Sequence, residues 1–438
     1  MVKPILIFQS PIATRSGYGE ISRKLARILL DLNTFDIRFL STPWGNTPAN
    51  ALDGTLPLDQ EIIKRIQQPP ITTPRQPEIF IQVSIPNEFQ SPAKYNIGFT
   101  AGIETNMCSE QWIEGCNRMN LVLGTSSHAI RSIQETVVHK HSPQGQQIGE
   151  VKTHIPMDVL PAFVDTKIFH KTDSADIPET VKSKLAIIPE KFAFLFVGHW
   201  LKGGLREDRK NVALLIKLFC ETFSSVVAQN RPALLLKTSG ADFSILDREE
   251  ILQKIRAIRD LIPNAPNVYL IHGDLSEEEM NGIYNHPKVK VFVSLTKGEG
   301  FGIPLLEASM SEKPIIASGW SGQLDFLNPK DAILIGGELK PIEPGAVWEN
   351  ILIPQSSWFN VDEEFTKKAL NLVFKQYEKF LPGAIALAKK NKEKFGYEAI
   401  KTKTKSLLEQ YLPKFDIPEE IPMKMPSLDE LPKLQKIE

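Results

Sequence analysis

The 438 residues exceed one ordinary domain of roughly 150 residues, so two or three compact units are expected. Hydrophobic residues make up 42% and charged residues 24%, a balance that excludes a mostly disordered, collagenous or coiled-coil chain. With 51 Lys+Arg against 52 Asp+Glu the net charge is -1, which gives no global positive field for nucleic acid or an anionic membrane.

Cys108, Cys116 and Cys220 are too few and too unevenly spaced for a disulfide framework or a zinc site, which fits a reducing, cytoplasmic setting. The first apolar run reaches Gln9, Ser10 and Pro11 quickly, so it reads as a strand and not as a secretion signal. No run approaches the roughly 18 apolar residues of a membrane span, although peripheral membrane contact stays open. Proline is the one oddity, at 32 residues, gathered at Pro69, Pro70, Pro74 and Pro77 and again at Pro418, Pro422, Pro426 and Pro432.

Short apolar runs alternate with amphipathic stretches, the pattern of strand-helix-strand units around a parallel sheet. The first set predicts a strand over 4–8, a helix over 19–32 with Ile21, Leu25, Ile28, Leu29 and Leu32 on one face, and a strand over 35–40. Past the proline cluster, which reads as a connection, strands are expected at 78–83, 95–101 and 121–125, then a helix over 127–138. Residues 139–151 read as a surface loop or hairpin, and the polar stretch around 170–180 as a linker. A second set follows, with strands at 192–198, 233–237, 268–272, 289–294 and 314–318 and helices over 211–228 and from 303. From 362 to 412 the signal is helical, with Phe365, Ala369, Leu372, Val373 and Tyr377 on one face, and the residues beyond read as a tail.

Chemistry concentrates where the strand at 289–294 runs into Gly298, Glu299, Gly300, Phe301, Gly302, Ile303 and Pro304. The glycines permit a tight loop, and a proline is favoured in a first helical turn because its missing N–H costs nothing there. The free amides of such a helix start favour a phosphate or a polar sugar edge. Glu299 and Glu307 have seven residues between them, and carboxylates accept hydrogen bonds from pairs of hydroxyls. Arg209 and Lys210 precede another helix start, where the dipole disfavours cations, so a functional reason for them is expected.

This stretch resembles the retaining glycosyltransferases of the family-four type, the group 1 transferases, whose hallmark is Glu, seven residues, Glu in an EGFG-x-P-x-x-EA context. The resemblance implies an α/β GT-B fold, with two Rossmann-like domains facing across a cleft and a C-terminal helix crossing back. It places an acceptor domain at 1–172, a donor domain at 173–360, returning helices at 361–412 and a proline-rich tail at 413–438. The implied donor is a GDP- or UDP-linked hexose, mannose or glucose, moved without cofactor or metal to a hydroxyl of a glycan, lipid-linked or other acceptor, with mannose slightly ahead.

By the same resemblance Glu307 takes the ribose, Glu299 the donor sugar, and Gly300, Phe301, Gly302 and Ile303 the sugar and phosphate, with His272 near the base. Lys210 and Arg209 take the diphosphate, His199 stands where many relatives have arginine, and Arg206 is placed to substitute for it. Gly17 and Gly19, in Arg15-Ser16-Gly17-Tyr18-Gly19, resemble the family's phosphate-side glycine loop, and Glu104 a residue near the transferred sugar or acceptor. His128 is read as structural or acceptor-lining. Residues 159–169 resemble the family's approach to the hinge, with Phe163 where glycine is usual. The rivals are a non-catalytic sugar-nucleotide or glycan-binding GT-B module, a nicotinamide oxidoreductase, disfavoured because Ser22 breaks Gly-x-Gly-x-x-Gly, and a glycan phosphorylase.

Overall fold

The computed structural model of the chain describes residues 2–69, 73–201, 205–240 and 243–416, so Pro70 and the predicted tail beyond Asp416 lie outside the described residues. The first domain runs β1 (Ile5–Ser10), α1 (Gly17–Leu32), β2 (Asp36–Ser41), α2 (Pro57–Arg65), β3 (Ile79–Val83), β4 (Tyr95–Thr100), α3 (Glu110–Asn117), β5 (Leu121–Gly124) and α4 (Ser127–Gln134). An exposed hairpin, β6 (Val138–His141) and β7 (Gln147–Val151), precedes β8 (Met157–Val159). The six-stranded sheet has the order β2-β1-β3-β4-β5-β8, and every pairing in it is parallel.

The second domain runs α5 (Glu179–Ala186), β9 (Ala193–Val197), α6 (Val212–Phe223), β10 (Ala233–Lys237), α7 (Ile245–Arg259), β11 (Val268–Ile271), α8 (Glu277–Asn285), β12 (Val289–Ser294), α9 (Ile303–Ser309), β13 (Ile315–Ser318) and β14 (Ile333–Ile335). Its sheet order is β11-β10-β9-β12-β13-β14, again wholly parallel. An antiparallel hairpin, β15 (Gly337–Pro341) and β16 (Ser357–Val361), follows, and then α10 (Glu363–Lys375), α11 (Leu381–Phe395) and α12 (Tyr397–Tyr411).

The composition of β9 shows why this sheet forms. Side chains alternate across a strand, and here Phe194 and Phe196 join one buried cluster while Ala193 and Leu195 join the other. Both faces are covered by helices, so the strand is apolar throughout. The strand order reverses between β9 and β12, and at such a switch point the carboxyl ends of the two strands open a crevice.

The chain enters the second domain early, because the His170 and Thr172 amides already donate to Asn281 and Asn285 of α8, at 3.3 and 3.0 Å. It returns at the end. Val164 N donates to Phe395 O at 2.8 Å, the Tyr397 hydroxyl lies 3.0 Å and the Lys401 ammonium 2.5 Å from Asp31 of α1, and Leu407 of α12 is buried facing Leu25 and Leu123 of the first domain. The architecture is the expected pair of doubly wound domains with a helical return.

Some local readings are corrected. The helix expected over 211–228 stops at Phe223, and the one over 127–138 stops at Gln134, leaving Val138 to start the hairpin. On α10 the buried stripe is Thr366, Ala369, Leu370 and Val373, whereas Phe365 and Leu372 are each 45% exposed. Packing of α10 against α6 rotates the inward face by one residue and turns those two apolar side chains to solvent.

Candidate active site

The site forms where β9 and β12 end. Asp208 sets up its basic arm: its buried carboxylate accepts from Lys210 N at 3.0 Å and Val212 N at 2.7 Å, closing the turn before α6. Asn211 adopts a left-handed conformation, φ 58°, and its amide donates to Leu295 O at 3.1 Å, tying this turn to the loop after β12. Arg209 and Lys210 are therefore presented to that loop and not to bulk solvent.

Lys210 Nζ lies 2.6 and 2.8 Å from the two oxygens of Glu299. Arg209 Nη1 donates to Gly298 O at 3.0 Å and stands 3.6 Å from Glu299 and 3.2 Å from Glu104, which projects from the loop after β4 in the other domain. Burial alone would raise the Glu299 carboxyl, but Lys210 and Arg209 outweigh it and hold it below the usual carboxylate range. Two cations and two carboxylates thus meet across the interdomain seam.

The seam is built from bare backbone. A Cβ on Gly298 would stand 2.0 Å from Glu104 O, and one on Gly300 2.2 Å from Ala101 O. Ser126 Oγ donates to Gly300 O at 2.5 Å, and Ser127 N donates to Asp325 at 2.8 Å. Gly302 has φ 96°, a conformation that L side chains rarely adopt, and starts α9 with Pro304 in its first turn. Phe301 is buried, packed at 5.2 Å against Phe326 and 5.8 Å against Phe395, and Ile303 is half-buried beside it. The side chain of Phe301 anchors the loop and leaves only its backbone for a ligand.

Glu307 faces α1. Tyr284 Oη donates to it at 3.2 Å, and Glu20, Lys24 and Glu277 surround it, with Lys24 bonded to Glu20 at 2.7 Å. Burial, then Glu20 and Glu277, push its carboxyl up to about 8, against the pull of Lys24.

Residues 179–337 match the family model described as glycosyl transferases group 1. That stretch of the chain is similar to the group 1 glycosyltransferases. No curated protein matches the sequence. Among solved structures, HepE of Anabaena in complex with UDP and glucose is 11% identical, covering 93% of this chain and 100% of that one, with TM-score 0.54. Sucrose-phosphate synthase from Thermosynechococcus elongatus is 14% identical over 93% and 99%, with TM-score 0.59. A glycosyltransferase from Rickettsia africae is 11% identical over 94% and 100%, also at 0.59. At these identities the likeness establishes the two-domain GT-B fold alone.

The remaining expected residues lie apart from one another. His199, at the end of β9, lies 3.2 Å from Ser239 Oγ, and desolvation together with the charges of Lys210, Lys237 and Arg209 holds its imidazole below the usual range. His272, beyond β11, bonds to Asp247 of α7 at 2.7 Å, away from the Glu299 cluster. Gly17 has open space where a Cβ would stand, whereas Gly19 is forced, since a Cβ there would meet Thr14 O at 2.2 Å. Ser16 caps α1 through Gly19 N at 2.9 Å. Arg206 turns to Glu363 of α10, so it does not substitute for the arginine expected at His199.

His128 Nε2 donates to Ile103 O at 3.0 Å, and the ring packs edge-on to Trp320 of the other domain. Three contributors went unread in the sequence. Ser321 accepts the Glu299 amide at 2.8 Å, Arg15 reaches Asp274 across the domains at 2.7 Å, and Lys297 is wholly buried beside the loop. Only Lys297 left a signal, a lysine inside an otherwise glycine-rich turn. Among the described residues no three His, Cys, Asp or Glu side chains are grouped to hold a metal ion, and no helix is long and apolar enough to cross a membrane.

Proposed function

We propose that the chain is a retaining, metal-independent hexosyltransferase that moves glucose or mannose from a UDP- or GDP-linked donor to a hydroxyl of a glycan, lipid-linked or other acceptor. The observation that carries this reading is the convergence of Lys210 and Arg209 on Glu299 at the switch point, opposite Glu104. A cation pair neutralised by carboxylates can exchange them for a diphosphate, and fixed cations facing a leaving group stabilise the charge it develops. In this reading the bond from the anomeric carbon to the diphosphate oxygen breaks while the acceptor oxygen bonds to that carbon on the same face. The acceptor's proton passes to the departing phosphate oxygen.

Lys210 and Arg209 hold the leaving group. Glu299, kept anionic, accepts from sugar hydroxyls, and Glu307 meets the ribose. Glu104 takes a hydroxyl of the sugar or acceptor from the other wall. UDP-glucose is the first donor to test because the structural neighbour HepE binds UDP and glucose, and GDP-mannose is the second. The three cysteines, all free and buried, accord with a cytoplasmic setting.

A thermal-shift panel of nucleotide sugars tests the reading. A true donor at 100 times its Kd adds about 2.7 kcal/mol of stability, enough to separate it from the rest. Release of UDP or GDP from that donor, with or without chelator, and a product of unchanged anomeric configuration are expected. Stabilisation with neither hydrolysis nor transfer would instead leave a binding module.

A further inference from the structure

Lys297 lies one residue before Gly298, yet its side chain is 0% exposed and is committed elsewhere. Its ammonium stands 3.1 Å from Glu343, donates to Asn360 at 3.2 Å and sits 4.2 Å above the Trp358 ring. Trp358 Nε1 donates to the same Glu343 at 2.9 Å. Asn360 and Trp358 belong to β16, and Glu343 follows β15. The main chain repeats the connection, because Lys297 N donates to Arg209 O at 2.8 Å and Phe359 N to Lys297 O at 3.0 Å. Burying an ammonium is costly unless it is paired, and an apolar side chain of similar size could fasten a hairpin without that cost. A charge kept here points to register and placement more than to stability.

The far side of the same hairpin grips the first domain. Ser357 N donates to Asn106 Oδ1 at 2.7 Å, and Asn106 N donates back to Ser357 O at 3.0 Å. Ser109 Oγ donates to Asn350 O at 3.0 Å, and Ile351 and Leu352 pack on the cluster of Ile103, Cys108 and Trp112. The hairpin thus joins the loop holding Glu299 to the segment holding Glu104.

We propose that Lys297 is a positioning residue: the pairing of its buried ammonium with the half-buried Glu343 fixes the β15–β16 hairpin so that the hairpin holds the Glu104 segment against Arg209 and Glu299. The functional weight of this lock rests on the transferase reading above, while the lock itself is a matter of geometry. It predicts that Lys297 acts on the alignment of the two walls and not on nucleotide affinity.

Full-length Lys297→Met, Glu343→Gln and Asn106→Ala, with Lys340→Met as a control on an exposed lysine of the same hairpin, test it. Hydrogen exchange of the 103–109 amides is expected to rise about tenfold in the first three and to stay unchanged in the control. UDP or GDP affinity should stay within about twofold, while turnover of the matching nucleotide sugar falls about tenfold, a kcat effect without a matching KM effect. Exchange of 103–109 within about twofold of wild type in the folded variants overturns the proposal. If Lys297→Met does not fold, Glu343→Gln interrogates the same pair. A wild-type protein that binds no nucleotide removes the transferase reading, and the exchange data still decide the lock.

Discussion

Glu299 and Glu307 come from one short stretch of chain, and the protein places them in opposite electrical surroundings. Glu299 faces Lys210 and Arg209 and is held as an anion. Glu307 faces Glu20 and Glu277, with Lys24 as the nearby cation, and burial with those two acids pushes its carboxyl up to about 8. The same side chain therefore lies among cations in one position and among other acids in the other. Identical residues in a motif acquire distinct chemistry from what the rest of the fold brings to them, which here means α6 for one and α1 with α8 for the other.

Breaking the Glu299 side of that comparison should have the largest effect. Lys210→Ala is expected to lower donor turnover about a hundredfold, in line with the roughly 2.7–4 kcal/mol lost with one fixed stabilising group, with circular dichroism unchanged. Near-normal turnover would remove Lys210 from the diphosphate.

Gly298→Ala attacks the contact that brings Glu104 to this cluster. Its Cβ would overlap Glu104 O, so the seam must part, at a cost of about 1–3 kcal/mol read as a lower midpoint in urea. An unchanged midpoint would show that the two walls are not in backbone contact in solution.

Glu307→Gln sharpens the other side. Because the folded-state carboxyl titrates near 8, above its ordinary value, the folded protein holds the extra proton between the ordinary carboxylate range and about 8. Wild-type stability should therefore fall as pH rises through that window, and the variant should lack that fall, gaining roughly 1–3 kcal/mol relative to wild type at pH 9. Parallel pH profiles of the two proteins would show that Glu307 is ordinarily ionised.

Glu104→Gln should have the smallest stability effect. The Arg209 pair is partly exposed, with side chains 29% and 24% accessible, and such a pair contributes about 0.2–1 kcal/mol, visible as a slight drop in Tm that vanishes at high salt.

The strands were legible because those of a doubly covered parallel sheet must be nearly continuously apolar, as in 193–197 and 291–293. The loop from Gly298 to Pro304 was legible because its glycines and proline have steric reasons that show in one dimension. Other elements left weaker marks. In α7 only Ile251 and Ile255 are buried while Ile245 and Leu246 are about 80% exposed, so its apolar residues obscure the inward face. Strand β15 is exposed along its length and ends in Pro341, so nothing marks it as a strand until Phe359 and Trp358 pair with it. The partners of Glu307 and Lys297 were invisible for a simpler reason: Glu20 is distant along the chain and Glu343 lies across a hairpin, so only folding brings them near.

The returning helix α12 has a consequence for how the molecule is made. Leu25, Leu29, Leu123 and Leu160, all from the first domain, line one side of the small apolar space whose other side is Leu407, Leu408, Tyr411 and Leu412. During synthesis the N-terminal sheet emerges long before those residues exist, so its first domain waits with an uncovered greasy strip while the whole second domain is translated. The half that leaves the ribosome first is thus the half completed last, and the nascent chain is most in need of shielding at the moment when it already looks folded.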